Sequence, residues 1–428
     1  MSRIGILAGG GRLPLMIAES VAARGEAVHI VGIEGEADAA IARFPHTWVN
    51  WGQIGRMVVT LQGEGGRDLV IAGAVTRPDL WRIRPDAGFF RSLPQILRLL
   101  VGGDDSVLKR VVRFFEGNGL KVRGVHEVAP DLLAGAGAMG EVALSEADRA
   151  DAEIGFAVRR ALGPVDAGQA VVVARGHVLA IEGAEGTDAM LGRVAALAIC
   201  KSAGRPQGVL AKGPKPGQEL RVDMPAIGPR TVERAAAAGL AGVVVEAGVV
   251  LVLDRVEAIR IADAAACAVH GLASSHALPA AQAGAEVRRR IGRVIGRRRP
   301  SRHDAGDIET GLAAVERLAP FATGRGAVVV RHYVRAIEAA EGPAAMLERA
   351  ASLRRQWGLR WRKVGVLVLR VAEADGAERA PAALFAQAAA QELAGIAVTG
   401  PARALGPFED AGRLADDLGL FLVLCEAT

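Results

Sequence analysis

A repeated segment constrains the fold of this chain more than any other sequence feature. Residues 178–193 read VLAIEGAEGTDAMLGR, and residues 334–349 read VRAIEAAEGPAAMLER. Shorter apolar stretches before and after these two segments also match, in the same order. Similarity that recurs in this way indicates two copies of one structural unit. We therefore predict that residues 304–428 repeat the fold of residues 133–282.

The two copies differ chiefly in their polar residues. Thr187 and Asp188 of the first copy stand where the second copy has Pro343 and Ala344. The segment 212–228 of the first copy has no counterpart in the second. Apolar positions persist while polar positions are lost, as expected of a copy that is kept for packing. The sequence therefore predicts that the chemistry belongs to the first copy.

The N-terminal residues alternate between apolar runs and turns in the order expected of a parallel sheet. A buried strand is predicted over 3–8, a tight turn over 9–14 and a helix over 15–24. A second strand follows over 28–33 and a third over 68–73. Because parallel strands need crossover connections, this succession favours a Rossmann-like domain.

The length of 428 residues favours two or three domains, and a hydrophobic content of 51% supports real cores. We predict an α/β fold with an N-terminal Rossmann-like parallel-sheet domain, an α/β C-terminal domain and a degenerate second copy of that C-terminal domain. The expected boundaries are 1–132, 133–282, a basic linker at 283–303, and 304–428.

Composition excludes several classes of protein. No apolar run reaches the length of a membrane-spanning helix. The three cysteines are too scattered for a disulfide scaffold or a zinc ribbon, which favours a reducing compartment. The net charge of +5 is mild for this length and does not by itself indicate a nucleic-acid partner.

The turn after the first predicted strand contains three consecutive glycines, Gly9, Gly10 and Gly11. Such a turn can present backbone N–H groups and a helix N-terminus to an anion. It also partly matches a dinucleotide-binding pattern, with Glu34 as the ribose acid, but Pro14 replaces the third glycine. The remaining alternative is a glycine turn that serves only to reverse the chain.

The segment 212–228, KGPKPGQELRVDMPAIG, is the strongest functional candidate. Its prolines and glycines bend the backbone into a shaped loop. Lysine and arginine can face phosphate oxygens while an aspartate holds a hard cation, so the loop suits a phosphorylated substrate. The alternative is a solvated surface loop in which Asp223 caps a turn.

Acidic residues also gather where a predicted strand meets a helix, at Glu182, Glu185 and Asp188. Acids at such a junction can bind a cation or a sugar hydroxyl. Alternatively, Thr187 or Asp188 simply caps the helix that follows.

The segment 288–302, RRRIGRVIGRRRPSR, is the most basic stretch of the chain. One interpretation is a solvated linker or helix end. The other is docking on anionic lipid headgroups, to which surface cations are attracted. Binding to nucleic acid is disfavoured because the segment has no aromatic residue to stack on bases.

Taken together, the motifs resemble those of the LpxI family. AGGGRLP, AGAVTRPD and GDDSVLK resemble its N-terminal domain, and AIEGAEGTDAMLGR and KPGQELRVDMPAIGP resemble its C-terminal domain. The resemblance covers residues 1–280. The chain departs from the family pattern at Glu219, where the family often has aspartate, and at Ala74, where it often has lysine.

The resemblance implies a magnesium-dependent hydrolysis in lipid A biosynthesis. UDP-2,3-diacylglucosamine would be cleaved to UMP and 2,3-diacylglucosamine 1-phosphate, with water attacking the α-phosphorus. The expected location is the cytoplasm; peripheral contact with the cytoplasmic face of the inner membrane and a homo-oligomer are both left open. A non-catalytic nucleotide- or lipid-binding protein and a nicotinamide-dependent enzyme are the competing hypotheses.

Within this hypothesis the aspartate of the family motif falls on Asp223. The predicted catalytic residues are Asp223, Lys212 and Arg221. The predicted substrate-binding residues are Gly9, Gly10, Gly11, Lys215, Gln218 and Thr187. The predicted Mg²⁺ ligands are Asp223, Asp188 and Glu185.

Overall fold

The computed structural model describes residues 3–64, 66–75, 85–90, 104–201, 205–273, 292–356, 363–371, 382–400 and 408–425. The chain forms two compact units. The N-terminal unit contains residues 1–136, 217–229 and 246–258, and the C-terminal unit contains residues 137–216, 230–245 and 259–428.

The N-terminal unit is built on a five-stranded parallel sheet with the order β3-β2-β1-β4-β5. Its strands are β1 (Arg3–Ala8), β2 (Ala27–Ile33), β3 (His46–Val49), β4 (Asp68–Ala72) and β5 (Lys121–Val122). The chain runs from β1 through β2 to β3 on one side and then crosses to β4 on the other. This confirms the predicted Rossmann-like sheet and makes the β1/β4 junction a topological switch point.

Helices cover both faces of this sheet, which explains why β1 is almost continuously apolar. Ile4 and Ile6 belong to the core on one face, and Leu7 belongs to the core on the other. The helices are α1 (Leu13–Ala23), α2 (Ile54–Glu64), α3 (Asp104–Gly117) and α4 (Val125–Val128). The short strand β3 was not predicted, because only Val49 of its four residues is buried.

Two segments that are distant in sequence complete the N-terminal unit. Strands β10 (Ala226–Ile227) and β12 (Leu251–Val252) pair in parallel. Leu251 is fully buried in the same core as Ile4, and Met224 and Leu253 pack against that core. Most of the 212–228 loop is therefore part of the N-terminal unit, a placement that sequence periodicity did not indicate.

The C-terminal unit contains two six-stranded mixed sheets of the same topology. The first has the order β6-β13-β11-β9-β7-β8. Its strands are β6 (Gly137–Ala138), β7 (Ala170–Ala174), β8 (His177–Ile181), β9 (Val209–Lys212), β11 (Gly242–Glu246) and β13 (Ala268–Leu272).

The second sheet has the equivalent order β14-β19-β18-β17-β15-β16. Its strands are β14 (Arg293–Ile295), β15 (Gly326–Val330), β16 (Tyr333–Ile337), β17 (Val366–Arg370), β18 (Gly395–Thr399) and β19 (Phe421–Cys425). The matching order confirms the predicted second copy. Strand β14 lies inside the predicted linker 283–303, so part of that stretch is a strand; residues 283–291 lie outside the described residues.

Helices complete both copies. In the first they are α5 (Glu146–Leu162), α6 (Thr187–Leu197), α7 (Pro229–Ala237) and α8 (Arg255–Ala264). In the second they are α9 (Arg302–Arg317), α10 (Gly342–Gln356), α11 (Ala382–Ala390) and α12 (Phe408–Asp417). Among the described helices, none is long and apolar enough to cross a membrane.

Polar contacts that shape the backbone recur in both copies. The Ser145 hydroxyl caps α5, and the Ser301 hydroxyl caps α9 in the same way. The buried Asp151 carboxylate accepts two backbone N–H groups of the β7–β8 turn, and Asp307 does the same at the β15–β16 turn. The duplication therefore preserved local geometry as well as apolar patterning.

The two copies contact each other through reciprocal backbone hydrogen bonds. The N–H of Ala184 donates to the carbonyl of Arg335 at 3.2 Å, and the N–H of Ala340 donates to the carbonyl of Leu179 at 3.2 Å. Ala184 and Ala340 occupy equivalent repeat positions, as do Leu179 and Arg335. An interface in which residue i meets residue j and j meets i is isologous, so the copies are related by an approximate two-fold axis.

Buried ion pairs follow the same symmetry. Arg349 Nη1 lies 3.2 Å from Glu185 Oε2, and Arg349 Nη2 lies 2.6 Å from Glu341 Oε1. Arg193 pairs with Glu185, and its Nε lies 3.7 Å from Glu341 Oε1. The four side chains form one compact cluster where the copies meet.

Candidate functional site

A cavity of about 350 Å³ opens in the N-terminal unit where β1 and β4 end. Its lining includes residues 10–13 after β1, residues 71–74 at the end of β4 and residues 220–224 of the loop. The carboxyl ends of parallel strands at a switch point are where open α/β sheets bind ligands. The topology and the cavity therefore identify the same place.

The glycine turn is held tightly against the segment that follows β4. The N–H of Gly9 donates to Ala72 O at 2.8 Å, and the N–H of Gly10 donates to Ala74 O at 2.6 Å. A Cβ atom on Gly9 would lie 2.5 Å from Ala74 O, which explains the glycine. Because these two N–H groups are engaged within the protein, the donor role predicted for Gly9 and Gly10 does not fit their geometry. Gly11, with φ +86°, turns the chain into α1.

Helix α1 begins at the cavity. Its N-cap residue is Arg12, which makes no side-chain cap, and its first residue Leu13 lines the cavity. The first N–H groups of a helix have no partner inside the helix, and they attract anions. Arg12 pairs with Asp254 at 3.0 Å and also lines the cavity. Sequence reasoning missed Arg12, although it stands inside the AGGGRLP motif.

Asp223 lines the same cavity and is held by a neighbour on its own loop. The Gln218 side-chain amide donates to Asp223 Oδ2 at 2.6 Å and to the Asp223 carbonyl at 3.0 Å. The N–H of Asp223 donates to Glu219 O at 3.0 Å. The carboxylate is half-buried, so it is oriented without being sealed from the cavity.

Arg221 is neutralised by two carboxylates. Its Nε and Nη2 atoms donate to the two oxygens of Glu219, each at 2.8 Å, and its Nη1 donates to Glu116 on α3 at 2.8 Å. The bidentate pair raises the pKa of Arg221 and lowers the pKa of Glu219. Arg221 therefore fastens the loop to α3, a role that differs from the phosphate contact predicted for it. Glu219, whose role the sequence left open, is its main partner.

A buried polar chain in the C-terminal unit joins Lys212, Thr187 and Glu182. Lys212 Nζ donates to Thr187 Oγ1 at 2.9 Å, and that hydroxyl donates to Glu182 Oε1 at 2.9 Å. All three residues are buried. Desolvation raises the pKa of Glu182, against the opposing effect of the Lys212 charge. The N-cap of α6 is Gly186 with no side-chain cap, so the interpretation of Thr187 as a cap was wrong.

The two acidic residues predicted beside Asp223 as metal ligands have arginine partners. Asp188 Oδ2 lies 2.8 Å from Arg230 Nε, on α7. Glu185 pairs with Arg193 and Arg349 in the cluster between the copies. In both cases the negative charge is already balanced by arginine.

The described residues contain no group of three or more His, Cys, Asp or Glu side chains that could hold a metal ion by themselves. This is compatible with Mg²⁺, which is commonly bound by one or two carboxylates together with substrate phosphates. The half-buried Asp223 carboxylate at the cavity wall fits such a shared site.

The predicted site residues therefore fall into two groups. In the N-terminal unit, Gly10, Gly11, Arg221 and Asp223 line one cavity, and Gln218 contacts Asp223. Gly9 lies behind the cavity wall against Ala74. The remaining candidates belong to the C-terminal unit: Lys212, Lys215, Thr187, Asp188 and Glu185. Lys215 pairs there with Asp166 at 2.9 Å.

Comparison with known proteins divides the chain by sequence, and it assigns the loop residues 217–229 to the C-terminal domain although they pack in the N-terminal unit. Residues 3–132 match the family model of the LpxI N-terminal domain. Residues 135–270 and 292–423 each match that of the LpxI C-terminal domain. A curated protein of Caulobacter vibrioides, UDP-2,3-diacylglucosamine pyrophosphatase LpxI, is 43% identical over 265 residues, which cover 61% of this chain and 95% of that protein.

Proposed function

The chain belongs to the LpxI family, and from this premise we propose that it hydrolyses the diphosphate of UDP-2,3-diacylglucosamine. The products would be UMP and 2,3-diacylglucosamine 1-phosphate, an intermediate of lipid A biosynthesis. The observation that carries the proposal is the cavity at the β1/β4 switch point, where Asp223 faces the start of α1.

A diphosphate carries negative charge, so positive potential in the cavity wall favours its binding. Helix α1 begins in the cavity wall and has no side-chain cap, so its first-turn N–H groups are suited to phosphate oxygens. Arg12, which is paired with Asp254, adds a guanidinium group at the same wall. Arg221 acts indirectly by fixing the loop that carries Asp223.

Asp223 is the central residue of the proposed mechanism. Its carboxylate would bind Mg²⁺ jointly with the substrate diphosphate, and Gln218 would keep the carboxylate oriented. When bound there, Mg²⁺ would neutralise charge that develops on the phosphate oxygens and the leaving group. Preorganisation of this kind matters because the loop then needs no rearrangement when charge develops.

The C-terminal unit contributes a second set of candidates. Lys212 and Thr187 are buried and connected to Glu182, and a role for them in the reaction remains a prediction. The lipid substrate would place the enzyme at the cytoplasmic face of the inner membrane.

The test is release of UMP from UDP-2,3-diacylglucosamine in detergent micelles with Mg²⁺. We expect product from the wild type, loss of product with a chelator and recovery with excess Mg²⁺. Asp223→Asn should lower kcat/KM by at least about 100-fold, the scale seen when one preorganised polar group is removed from an active site. Asp38→Asn removes an equal charge from an exposed residue of the same unit and should stay near wild type.

A folded wild type that yields no UMP would contradict the proposal. If such a protein still bound the substrate, the non-catalytic binding protein would become the better hypothesis.

The attacked phosphorus is a separate prediction. The family resemblance implies attack at the α-phosphorus, which would transfer oxygen-18 from labelled water to UMP. Label in the sugar phosphate would instead show attack at the β-phosphorus. That result would correct the prediction and leave the hydrolysis itself intact.

A further inference from the structure

Two equivalent turns of the repeat provide an internal comparison. Residues 137–146 of the first copy read GAMGEVALSE, and residues 293–302 of the second read RVIGRRRPSR. Each stretch starts with an edge strand, β6 or β14, and ends at the first residue of a long helix, α5 or α9. The serine that caps the helix occupies the same place in both.

The two turns are also fastened by the same contact. Asp263 accepts the N–H of Glu141 at 2.9 Å, and Asp416 accepts the N–H of Arg297 at 2.9 Å. Gly296, with φ +90°, permits the close approach of the second turn to Asp416. The first copy thus forms this backbone with no arginine in it, so the fold does not require arginine here.

Five positions nevertheless change to arginine in the second copy. The first-copy residues are Gly137, Glu141, Val142, Ala143 and Glu146; the second-copy residues are Arg293, Arg297, Arg298, Arg299 and Arg302. Two negative charges are replaced by five positive charges, and all five arginines are exposed. Within the described part of the chain, no ion pair involves any of the five.

Two of the five arginines border a concave surface. Arg293, Arg297 and Arg413 line a depression of about 470 Å³ together with Asp416, whose carboxylate is engaged by backbone N–H groups. Arg413 itself pairs with Asp410 at 2.8 Å. A depression bordered by guanidinium groups is suited to phosphate, since arginine donates in a geometry that matches phosphate oxygens.

We propose that this arginine turn, residues 293–302, docks the protein on an anionic phospholipid bilayer. The choice of a bilayer rests on the proposed function, because the substrate is a lipid that resides in a membrane. It also rests on the composition of the turn, which has no aromatic residue on which nucleic-acid bases would stack. The second copy then has a role that its first-copy equivalent lacks.

The test uses the full chain and sedimentation with vesicles. Wild type should bind vesicles that contain phosphatidylglycerol, should bind phosphatidylcholine vesicles weakly, and should lose binding as salt increases. The variant Arg293→Gly, Arg297→Glu, Arg298→Val, Arg299→Ala, Arg302→Glu restores the first-copy residues. Because each cation near the surface contributes about fivefold to binding, this variant should bind at least about 100-fold more weakly.

A control with nearly the same change in net charge, −6 against −7 for the turn variant, separates the effect of the turn from that of net charge. Arg149→Glu, Arg205→Glu and Arg331→Glu change exposed arginines elsewhere in the C-terminal unit and should bind far better than the turn variant. Equal losses in the two variants, or no binding by wild type, would overturn the proposal. Tighter binding of wild type to single-stranded RNA than to the vesicles at equal salt would also overturn it.

The same variants distinguish this proposal from the enzymatic one. UMP release in neutral detergent micelles should be within about twofold of wild type for the turn variant, since micelles remove the need for docking. If the wild type hydrolysed the substrate but did not bind vesicles, only the docking proposal would be refuted. If the wild type bound vesicles but did not hydrolyse the substrate, only the proposed reaction would be refuted.

Discussion

The two copies in the C-terminal unit share a scaffold but differ in their buried polar groups. Sheet order, the serine caps and the aspartate-anchored turns are the same in both. Even the irregularity between Val172 and Val173 in the β7–β8 pairing recurs between Val328 and Val329. Residues that fix the backbone were therefore retained, while some of the buried polar residues were replaced.

Lys212 and Thr187 of the buried polar chain are among the residues that were replaced. The second copy has Leu369 and Pro343 at these positions, while the glutamate is kept as Glu338. Proline fits the first turn of α10, where its missing N–H costs nothing, and leucine packs in the core. Since the fold accepts both replacements, the retention of Lys212 and Thr187 in the first copy calls for a reason other than folding.

The largest effect on stability should come from breaking the symmetric contact between the copies. Arg349→Ala would leave the buried Glu341 and Glu185 carboxylates short of a partner, which should cost about 3–5 kcal/mol of unfolding free energy. Arg193→Ala should have a similar cost, because Arg193 is the two-fold equivalent of Arg349. Urea denaturation measures both.

Replacement of the exposed Arg149 by alanine serves as the control and should change stability by less than about 0.5 kcal/mol. If Arg193→Ala were as mild as that control while Arg349→Ala was severe, the two-fold description of the interface would be wrong.

A smaller effect should appear in the pH dependence of stability. Burial raises the pKa of Glu182 above its ordinary value of 4.5, so the folded state holds this proton more tightly than the unfolded state does. The associated stability is present below pH 4.5 and is lost as the pH rises through the folded-state pKa. The unfolding free energy of wild type, relative to Glu182→Gln, should therefore fall as the pH is raised from 4.5.

Chemical denaturation of both proteins at several pH values gives this difference directly. If the difference in unfolding free energy stayed constant or increased with pH, burial would not raise the pKa of Glu182.

The smallest effects should be those of the two equivalent helix caps. Ser145→Ala and Ser301→Ala each remove a hydroxyl that accepts the N–H of the third helical residue, at a cost of about 1 kcal/mol. Replacement of either serine by glycine should cost only about a few tenths of a kcal/mol. Thermal or urea unfolding of the pair would test whether the copies really use the motif equally, and unequal costs would weaken the comparison.

Much of the fold was predictable because it depends on local patterns. The continuous apolar run of β1 and the β7–β8 strand pair can be read from short windows, and the repeat predicts the second sheet. The strands β10 and β12 could not be predicted in this way. Each has two residues, and their pairing depends on the N-terminal core, which lies far away in sequence.

The candidate site was only partly predictable for a related reason. Asp223 and the glycine turn carry a recognisable motif, and the structure brings them to one cavity. Residue type alone cannot show which charges are already paired. Arg221 is bound by Glu219 and Glu116, and Glu185 is bound by arginines from both copies. These pairings depend on tertiary contacts that no spacing in the sequence specifies.

The central claim is that, of the two copies, only the first takes part in the chemistry, and two matched variants test it. The measurement is kcat/KM for UMP release by Lys212→Met and Leu369→Met, which place the same side chain at equivalent positions. We expect a loss of at least about 100-fold for Lys212→Met with the fold retained, and less than about twofold for Leu369→Met. Wild-type activity in a folded Lys212→Met protein, or an equal loss in Leu369→Met, would contradict the claim.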